Sequence, residues 1–194
     1  MSIRDERREA AIERMADHLL SEGLPGASLR PLAAAAGTSD RMLLYYFTNK
    51  DELLAATLAR VAERMTASLD QALPPGTRRP FDALLAEIWA ALGSASIRPF
   101  MHLWLDLAAG AARALEPHRA IAGGIADGFL GWVESRLDVE PEGGRSRSAA
   151  LLLATIEGLL VLDAVGRRTV ADRAVAGFAG SLSVKRPPKR PTPS

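Results

Sequence analysis

The sequence predicts an all-α fold, and three observations support this prediction. Alanine and leucine are abundant, whereas aromatic residues make up only 5% of the 194 residues, a composition that favours helices over sheets. Apolar residues recur at intervals of three and four, which is the spacing of one helix face. Glycine and proline stand between these apolar stretches, where helices are expected to end.

The first predicted helix covers residues 4–22 and ends at Gly23. Its buried stripe is predicted to consist of Ile12, Met15, Ala16, Leu19 and Leu20. Ser28 is a suitable N-cap for a second helix, and Pro31 falls in its first turn, where a missing N–H is tolerated. This second helix is expected to end at Gly37.

A third helix is predicted after Ser39, which can cap it, with Asp40 in the first turn, where a carboxylate suits the helix dipole. Thr48 and Asn49 interrupt the apolar pattern. A long fourth helix then begins near Asp51 and carries Leu54, Leu58, Val61, Met65 and Leu69 on one face.

The rest of the chain predicts five further helices separated by polar or proline-rich loops. Residues 73–79 and 140–144 are predicted to be loops. The predicted helices cover residues 80–92, 97–109, 117–137, 146–165 and 170–182. The fourth of these is apolar nearly all round, which indicates burial on more than one side.

Composition excludes several classes of protein. The chain has no cysteine, which excludes disulfides and thiolate metal sites, and we expect neither a metal nor a cofactor. The polar N-terminus does not resemble a signal peptide, and no apolar run reaches the ~18 residues of a membrane span. We therefore expect a cytoplasmic protein.

Residues 28–47 predict a helix-turn-helix, in which a tight turn joins two helices and the second one faces the DNA major groove. Ala33 and Ala36 offer a small packing surface, and Gly37 permits a positive φ at the turn. The first fifty residues hold seven cationic and seven acidic side chains. A DNA-binding surface must therefore come from the arrangement of side chains and not from bulk charge.

Residues 11–58 resemble the DNA-binding domain of TetR-family transcriptional regulators. The resemblance rests on Glu22-Gly23, on LAAAAGTS at 32–39, on LLYYF at 43–47 and on NKDELL at 49–54. It implies a three-helix head at 1–50, joined by a long helix to a ligand-binding and dimerisation body at 51–184. Residues 185–194 are basic and proline-rich and are expected to be disordered.

The resemblance also implies which residues contact an operator. The candidate DNA contacts are Arg30, Ser39, Arg41, Met42, Tyr45, Tyr46 and Lys50. Leu43 and Phe47 are expected to pack the head. Leu44 departs from the family pattern, which usually has tyrosine there, and its side chain has no hydroxyl for a phosphate. Asp40 is a second departure, and it can cap the helix or accept a hydrogen bond from a cytosine amino group.

The predicted body holds two further candidate sites. Small and apolar residues near its end suggest a homodimer interface formed by Leu151, Thr155, Gly158, Leu159 and Leu162. The same residues are also compatible with a helix at the centre of one monomer. A cavity for a small apolar or amphipathic effector is predicted among Trp89, Phe100, Met101, Trp104, Phe129 and Trp132, although aromatic residues at helical spacing are often simply core.

Asp106 and Glu157 are candidates to anchor a cationic ligand, and either can equally be a surface or interface residue. An enzyme is a weaker alternative, since the sequence has no HExxH, GxSxG, P-loop or dinucleotide-binding pattern. A helical protein-interaction module is the other alternative. It leaves Arg41, Tyr45, Tyr46 and Lys50 without a purpose, so sequence-specific DNA binding is favoured. The resemblance implies that the protein is a ligand-responsive repressor that binds a palindromic operator as a homodimer.

Overall fold

The computed structural model describes residues 3–139 and 142–181, and within these ranges the regular secondary structure is helical. The α-helices are α1 (Ile3–Glu22), α2 (Leu29–Ala35), α3 (Asp40–Tyr46), α4 (Lys50–Ala72), α5 (Phe81–Leu92), α6 (Arg98–Ala112), α7 (His118–Glu134), α8 (Glu142–Ala164) and α9 (Arg168–Ser181). A short 3-10 helix, Leu24–Gly26, joins α1 to α2. The prediction of an all-α fold is therefore confirmed.

Helices α1, α2 and α3 form an N-terminal head around one small core. Its completely buried side chains are Met15, Leu19, Leu32, Leu43 and Phe47. The expected packing roles of Leu43 and Phe47 are thus confirmed. These side chains come from all three helices and from the residue that follows α3, so their burial fixes the direction in which α3 presents its opposite face.

An ionic cluster joins α4 to α1. The Arg60 Nη2 atom lies 2.6 Å from Glu9 Oε2, and the Arg64 Nη1 atom lies 2.7 Å from Asp17 Oδ1. Both guanidinium groups also bind the carboxylate of Glu13, one to each oxygen. The hydrogen bond to Glu9 raises the pKa of Arg60, so this cation stays charged. These ion pairs join the middle of α4 to α1.

Helix α4 begins one residue earlier than predicted because its start is capped from both sides. The Asn49 side chain accepts a hydrogen bond from the Glu52 amide at 2.8 Å. In return, the Glu52 carboxylate accepts one from the Thr48 amide at 2.6 Å, and the bonds from Thr48 lower the pKa of Glu52. Such reciprocal caps satisfy backbone donors that the first helical turn leaves free.

Helices α5 to α9 form the body, in which α8 packs against α5, α7 and α9. The prediction that 140–144 is entirely loop is wrong, because α8 already begins at Glu142. The prediction that α7 extends to residue 137 is also wrong. Helix α7 ends at Glu134, since Leu137 is drawn into the core and the backbones of Arg136 and Asp138 instead bond the backbone of Arg79.

None of the helices in the described ranges is long and apolar enough to cross a membrane. The predicted disordered tail at 185–194 lies outside the described residues.

Candidate DNA-binding face and central cavity

The turn between α2 and α3 is tight and is held by the neighbouring helix. Gly37 adopts a φ of 68°, a conformation that residues with a Cβ rarely adopt. The Arg14 guanidinium donates a hydrogen bond of 2.9 Å to the carbonyl of Ala36, the residue that ends α2. Because the turn is bound to α1 in this way, the angle between α2 and α3 is fixed by the head itself.

The cap of α3 is made by Ser39, as predicted. Its hydroxyl oxygen accepts a hydrogen bond of 3.3 Å from the amide of Met42. Ser28 holds the corresponding position before α2, but its side chain makes no capping bond. Of the two predicted serine caps, only the one before α3 therefore contributes a side-chain hydrogen bond.

The outward face of α3 exposes large apolar side chains. Tyr45 is 60% exposed, Leu44 is 46% exposed and Met42 is 38% exposed. Arg41 lies exposed on the same short helix, next to Asp40. Exposed apolar groups that lie side by side on a small protein usually mark a surface for a partner.

The other predicted DNA contacts surround this face or lie partly behind it. Arg30 on α2 and Lys50 at the start of α4 are both exposed. Tyr46 is only partly exposed, because its ring packs against the head core and meets the Tyr45 ring edge-on with 5.7 Å between ring centroids. We name Arg30, Ser39, Arg41, Met42, Tyr45, Tyr46 and Lys50 the head surface.

Two arginines of α1 complete this side of the head, and the sequence analysis missed both. Arg4 lies over the Tyr45 ring, 4.8 Å from its centroid, and donates a hydrogen bond of 3.0 Å to the Tyr45 carbonyl. Arg8 lies 4.7 Å from the centroid of the Phe47 ring. Their spacing of four residues places both on one face of α1, which is the signal that could have identified them.

Helix α3 has dimensions that suit a DNA groove. An α-helix with its side chains is about 10–12 Å across, and the major groove is about 12 Å wide. The side chains on its outer face include hydrogen-bond donors, a phenol and apolar groups. These can contact base edges and thymine methyl groups, while cations beside them can contact phosphates.

A second candidate site is an apolar cavity at the centre of the body, named here the central cavity. It encloses about 640 Å³ including its open mouth, and its walls come from α4, α5, α6, α7 and α8. Four of the predicted ligand contacts line it, namely Phe100, Met101, Trp104 and Phe129. Glu157 of α8 also lines it, and its Oε2 accepts a hydrogen bond of 2.9 Å from Trp104 Nε1.

The other two tryptophans among the predicted ligand contacts do not line this cavity. Trp89 Nε1 donates to Asp172 Oδ1 at 2.8 Å, which joins α5 to α9. Trp132 Nε1 donates to Asp70 Oδ1 at 2.7 Å, which joins α7 to α4. Both rings are buried, and their polar edges bridge pairs of helices, so the structure places them in packing positions.

Arg136 lies beneath Trp132 and is almost completely buried. Its guanidinium carbon is 3.9 Å from the centroid of the Trp132 ring, and its Nη2 atom binds the Asp70 carboxylate. Burial lowers the pKa of Arg136, and the charge of Asp70 opposes this change. Asp70, Trp132 and Arg136 therefore form one polar connection between the end of α4 and the end of α7.

The predicted interface residues on α8 fall on different faces of the helix. Leu151 is 56% exposed and Gly158 is also exposed, whereas Leu159 is buried within the monomer. Leu162 is half-buried, and the Thr155 hydroxyl donates to the Leu151 carbonyl of its own helix. The exposed stripe of α8 consists of Leu151, Ala154, Gly158 and Val161, together with Val165 directly after the helix, at the spacing of one helix face.

The described residues contain no group of three or more His, Asp or Glu side chains that could hold a metal ion. The two candidate sites are the head surface, which is exposed, and the central cavity, which lies between helices.

Comparison with known proteins agrees with the sequence resemblance. Residues 12–57 match the family model described as bacterial regulatory proteins, tetR family. The HTH-type transcriptional regulator BetI of Burkholderia ambifaria is 29% identical over 106 residues, which cover 54% of this chain and 55% of the relative. BetI of Burkholderia mallei gives the same identity over 54% of each chain. The chain thus spans about half the length of the curated relatives it matches.

Solved structures extend the agreement over most of the chain. A transcriptional regulator from Rhodococcus sp. is 25% identical, with a TM-score of 0.64 over 87% of this chain and 91% of the other. A TetR-family regulator from Cytophaga hutchinsonii is 20% identical, with a TM-score of 0.66 over 96% and 99%. The multidrug binding protein EbrR complexed with proflavin is 22% identical, with a TM-score of 0.58 over 88% and 98%.

The last two of these structures are evidence only for the fold of this chain, because their sequence identity to it is below 25%. The segment that matches the family model, residues 12–57, contains the tight turn at Gly37 and the capped helix α3. By this match, the N-terminal segment of the chain, with its helix-turn-helix in α2 and α3, belongs to the TetR family of bacterial regulatory proteins.

Proposed function

We propose that this regulator binds a palindromic DNA operator as a homodimer and represses transcription until a small effector releases it. The observation that carries the proposal is the unpartnered outer face of α3, where Arg41, Met42 and Tyr45 are exposed beside a fully packed head core. Binding to operator DNA would take place in the cytoplasm.

In this proposal, residues 1–50 read the DNA. Arg41 and Tyr45 approach base edges in the major groove, where a good contact discriminates between bases by about 1–3 kcal/mol. Arg30 and Lys50 contact phosphates on either side. The position of Lys50 supports its assignment. A cation at the start of α4 is repelled by the positive end of the helix dipole, and a nearby phosphate would offset this repulsion.

The exposed stripe of α8 is proposed to form the homodimer interface. Leu151, Val161 and Val165 are each more than half exposed in the monomer, which is unfavourable for such large apolar side chains in water. Gly158 lies between them and leaves room for close approach of a second helix. A two-fold axis there would place the two α3 helices at successive major grooves, roughly 34–36 Å apart.

The central cavity is proposed as the effector site within residues 51–184. Helix α4 contributes Leu58, Val61 and Met65 to the cavity wall. The same helix is joined to α1 by the ion pairs of Arg60 and Arg64. An effector that fits only one position of α4 would therefore shift the population of head arrangements. A related fold that holds a ligand, EbrR complexed with proflavin, is in line with this role.

The operator can be found by selecting bound sequences from random DNA, and a palindromic consensus would agree with a dimer. The double variant Arg41→Ala, Tyr45→Ala is then expected to lose at least 100-fold in operator affinity, measured by gel shift. The control is Arg167→Ala, Arg173→Ala, which removes two exposed cations of the body. Operator affinity that survives in the first variant would show that α3 does not read the DNA.

The interface is tested separately by the substitution Val161→Asp. A carboxylate on the stripe would be desolvated at the interface without a partner, so the variant is expected to sediment as a monomer. Leu115→Asp is the matched control, because Leu115 is exposed to a similar degree but lies between α6 and α7. Equal sedimentation of both variants and the original protein would contradict the α8 interface.

A further inference from the structure

One carboxylate interrupts the apolar wall of the central cavity. Glu157 is the only charged residue among the side chains that line it, within the part of the chain that the structure describes. Its neighbours on the wall are aromatic or aliphatic and come from four other helices. A carboxyl group in such surroundings is rare unless it has a cation or a full set of hydrogen-bond donors.

Glu157 has only one such donor. Trp104 Nε1–H reaches its Oε2 at 2.9 Å, while no hydrogen bond to its Oε1 and no ion pair to a cationic side chain is present in residues 3–139 and 142–181. Asp163 lies on the same helix and differs in this respect, since Arg168 Nη1 is 3.0 Å from its Oδ2. The acid outside the cavity is thus paired, and the acid inside it is not.

This unpaired state has an energetic consequence. Burial raises the pKa of Glu157 above its ordinary value, and the hydrogen bond from Trp104 only partly opposes this. In the free protein the ionised form is therefore disfavoured. A positive charge brought into the cavity would reverse this, because attraction between opposite charges is strong where water is excluded.

The surrounding rings suit a cation as well. Phe100, Trp104 and Phe129 line the same cavity as Glu157, and aromatic rings attract cations through their negative faces. An anionic ligand would find no cationic side chain among the lining residues. A neutral ligand without a hydrogen-bond donor would leave Oε1 of Glu157 without a partner.

Resting on the proposed function of the central cavity as the effector site, we propose that it binds a lipophilic organic cation. The positive charge pairs with the Glu157 carboxylate, and the apolar part packs against Phe100, Trp104 and Phe129. The space between the helices, about 640 Å³ with its mouth, limits the ligand to a small organic cation.

The test compares two probes of the same shape, phenyltrimethylammonium and tert-butylbenzene, by calorimetric titration of the full-length protein at neutral pH. The cation is expected to bind at least tenfold more tightly than its neutral analogue. Glu157→Gln is expected to abolish this preference and to leave tert-butylbenzene affinity within twofold. The glutamine oxygen can still accept the bond from Trp104, so a purely structural role of Glu157 would not change the preference.

Asp106→Asn is the matched control. Asp106 is an exposed acid of α6 that does not line the cavity, and its removal is expected to leave both affinities unchanged. Equal affinity for the two probes, an unchanged preference in Glu157→Gln, or binding of neither probe would each overturn the proposal.

Gel shift with the selected operator separates this inference from the proposed function. Cation binding that depends on Glu157 without any change in operator affinity would support the ligand class and contradict effector control. Operator release by the neutral analogue alone would support effector control and contradict the cationic ligand class.

Discussion

The outer face of α3 and the wall of the central cavity contain similar residue types in opposite surroundings. Both combine aromatic rings, methionine and a single carboxylate. Tyr45 is 60% exposed on α3, whereas Phe100 is 8% exposed in the cavity. The acid of the first surface, Asp40, is exposed to water at a helix start, while the acid of the second, Glu157, is enclosed among apolar side chains.

This difference in exposure means that residue type alone does not determine what a surface can bind. An open face supported by a rigid head suits a large polyanion, whose charges are screened by water and met by cations at the rim. An enclosed wall suits a small molecule, and a single unpaired charge there selects the sign of the ligand's charge. Four variants, each with a control or a series of conditions, test how burial determines what these side chains contribute.

The largest effect is expected for Phe47→Ala, which removes a buried ring from the head core. The cavity left behind should lower the free energy of unfolding by about 3–5 kcal/mol, measured by urea denaturation. Tyr45→Ala, two residues earlier and mostly exposed, should change the unfolding free energy by less than about 0.5 kcal/mol while weakening operator binding. Similar stability losses in both would contradict the assignment of Phe47 to the head core and of Tyr45 to the exposed face.

The next effect is expected for Asp70→Ala, which leaves the buried Arg136 without its ion-pair partner and Trp132 without its acceptor. A loss of about 2–3 kcal/mol in unfolding free energy is expected. Asp163→Ala is the control, because its partners Arg98 and Arg168 are exposed and such pairs contribute about 0–1 kcal/mol. Equal losses would show that burial of the cation does not matter.

A smaller effect separates the two serines that precede α2 and α3. Ser39→Ala should lower the unfolding free energy by about 1 kcal/mol, because the Met42 amide loses its capping acceptor. Ser28→Ala should leave it nearly unchanged, since that side chain makes no capping bond. A larger loss for Ser28→Ala in thermal or urea unfolding would contradict this assignment.

The last effect is a dependence on pH that Glu157 alone should confer on the cavity. Its pKa is raised in the folded state, so the folded protein binds this proton more tightly than the unfolded chain. The resulting stability is present below the unfolded pKa of about 4.3 and is lost as pH rises through the folded pKa.

Glu157→Gln should therefore gain stability relative to the original protein as pH rises above about 4.3. Chemical denaturation at a series of pH values measures this difference. A difference that stays constant across the series would show that Glu157 titrates alike in both states. Binding of the cationic probe should strengthen over the same rise in pH, since the carboxylate becomes ionised.

Much of the head could be predicted from the sequence because its determinants are local. Gly37, the Ser39 cap and the apolar spacing of α1 act within one or two helical turns, and the structure contains each of them. Helix ends were less predictable. Leu137, predicted to continue α7, is instead drawn into the core beside Arg79, a residue nearly sixty positions earlier.

The candidate sites of the body were only partly predictable for the same reason. The helices and the helix-turn-helix could be predicted from the sequence, since they follow from short-range spacing and composition. The sequence also indicated which aromatic residues were candidates for the cavity wall. Only the tertiary structure decided that Trp104 and Phe129 line the central cavity, that Trp89 and Trp132 bridge helices, and that Leu159 faces inward. It also left Glu157 without a cation, because the side of a helix that becomes enclosed depends on partners far away in the chain.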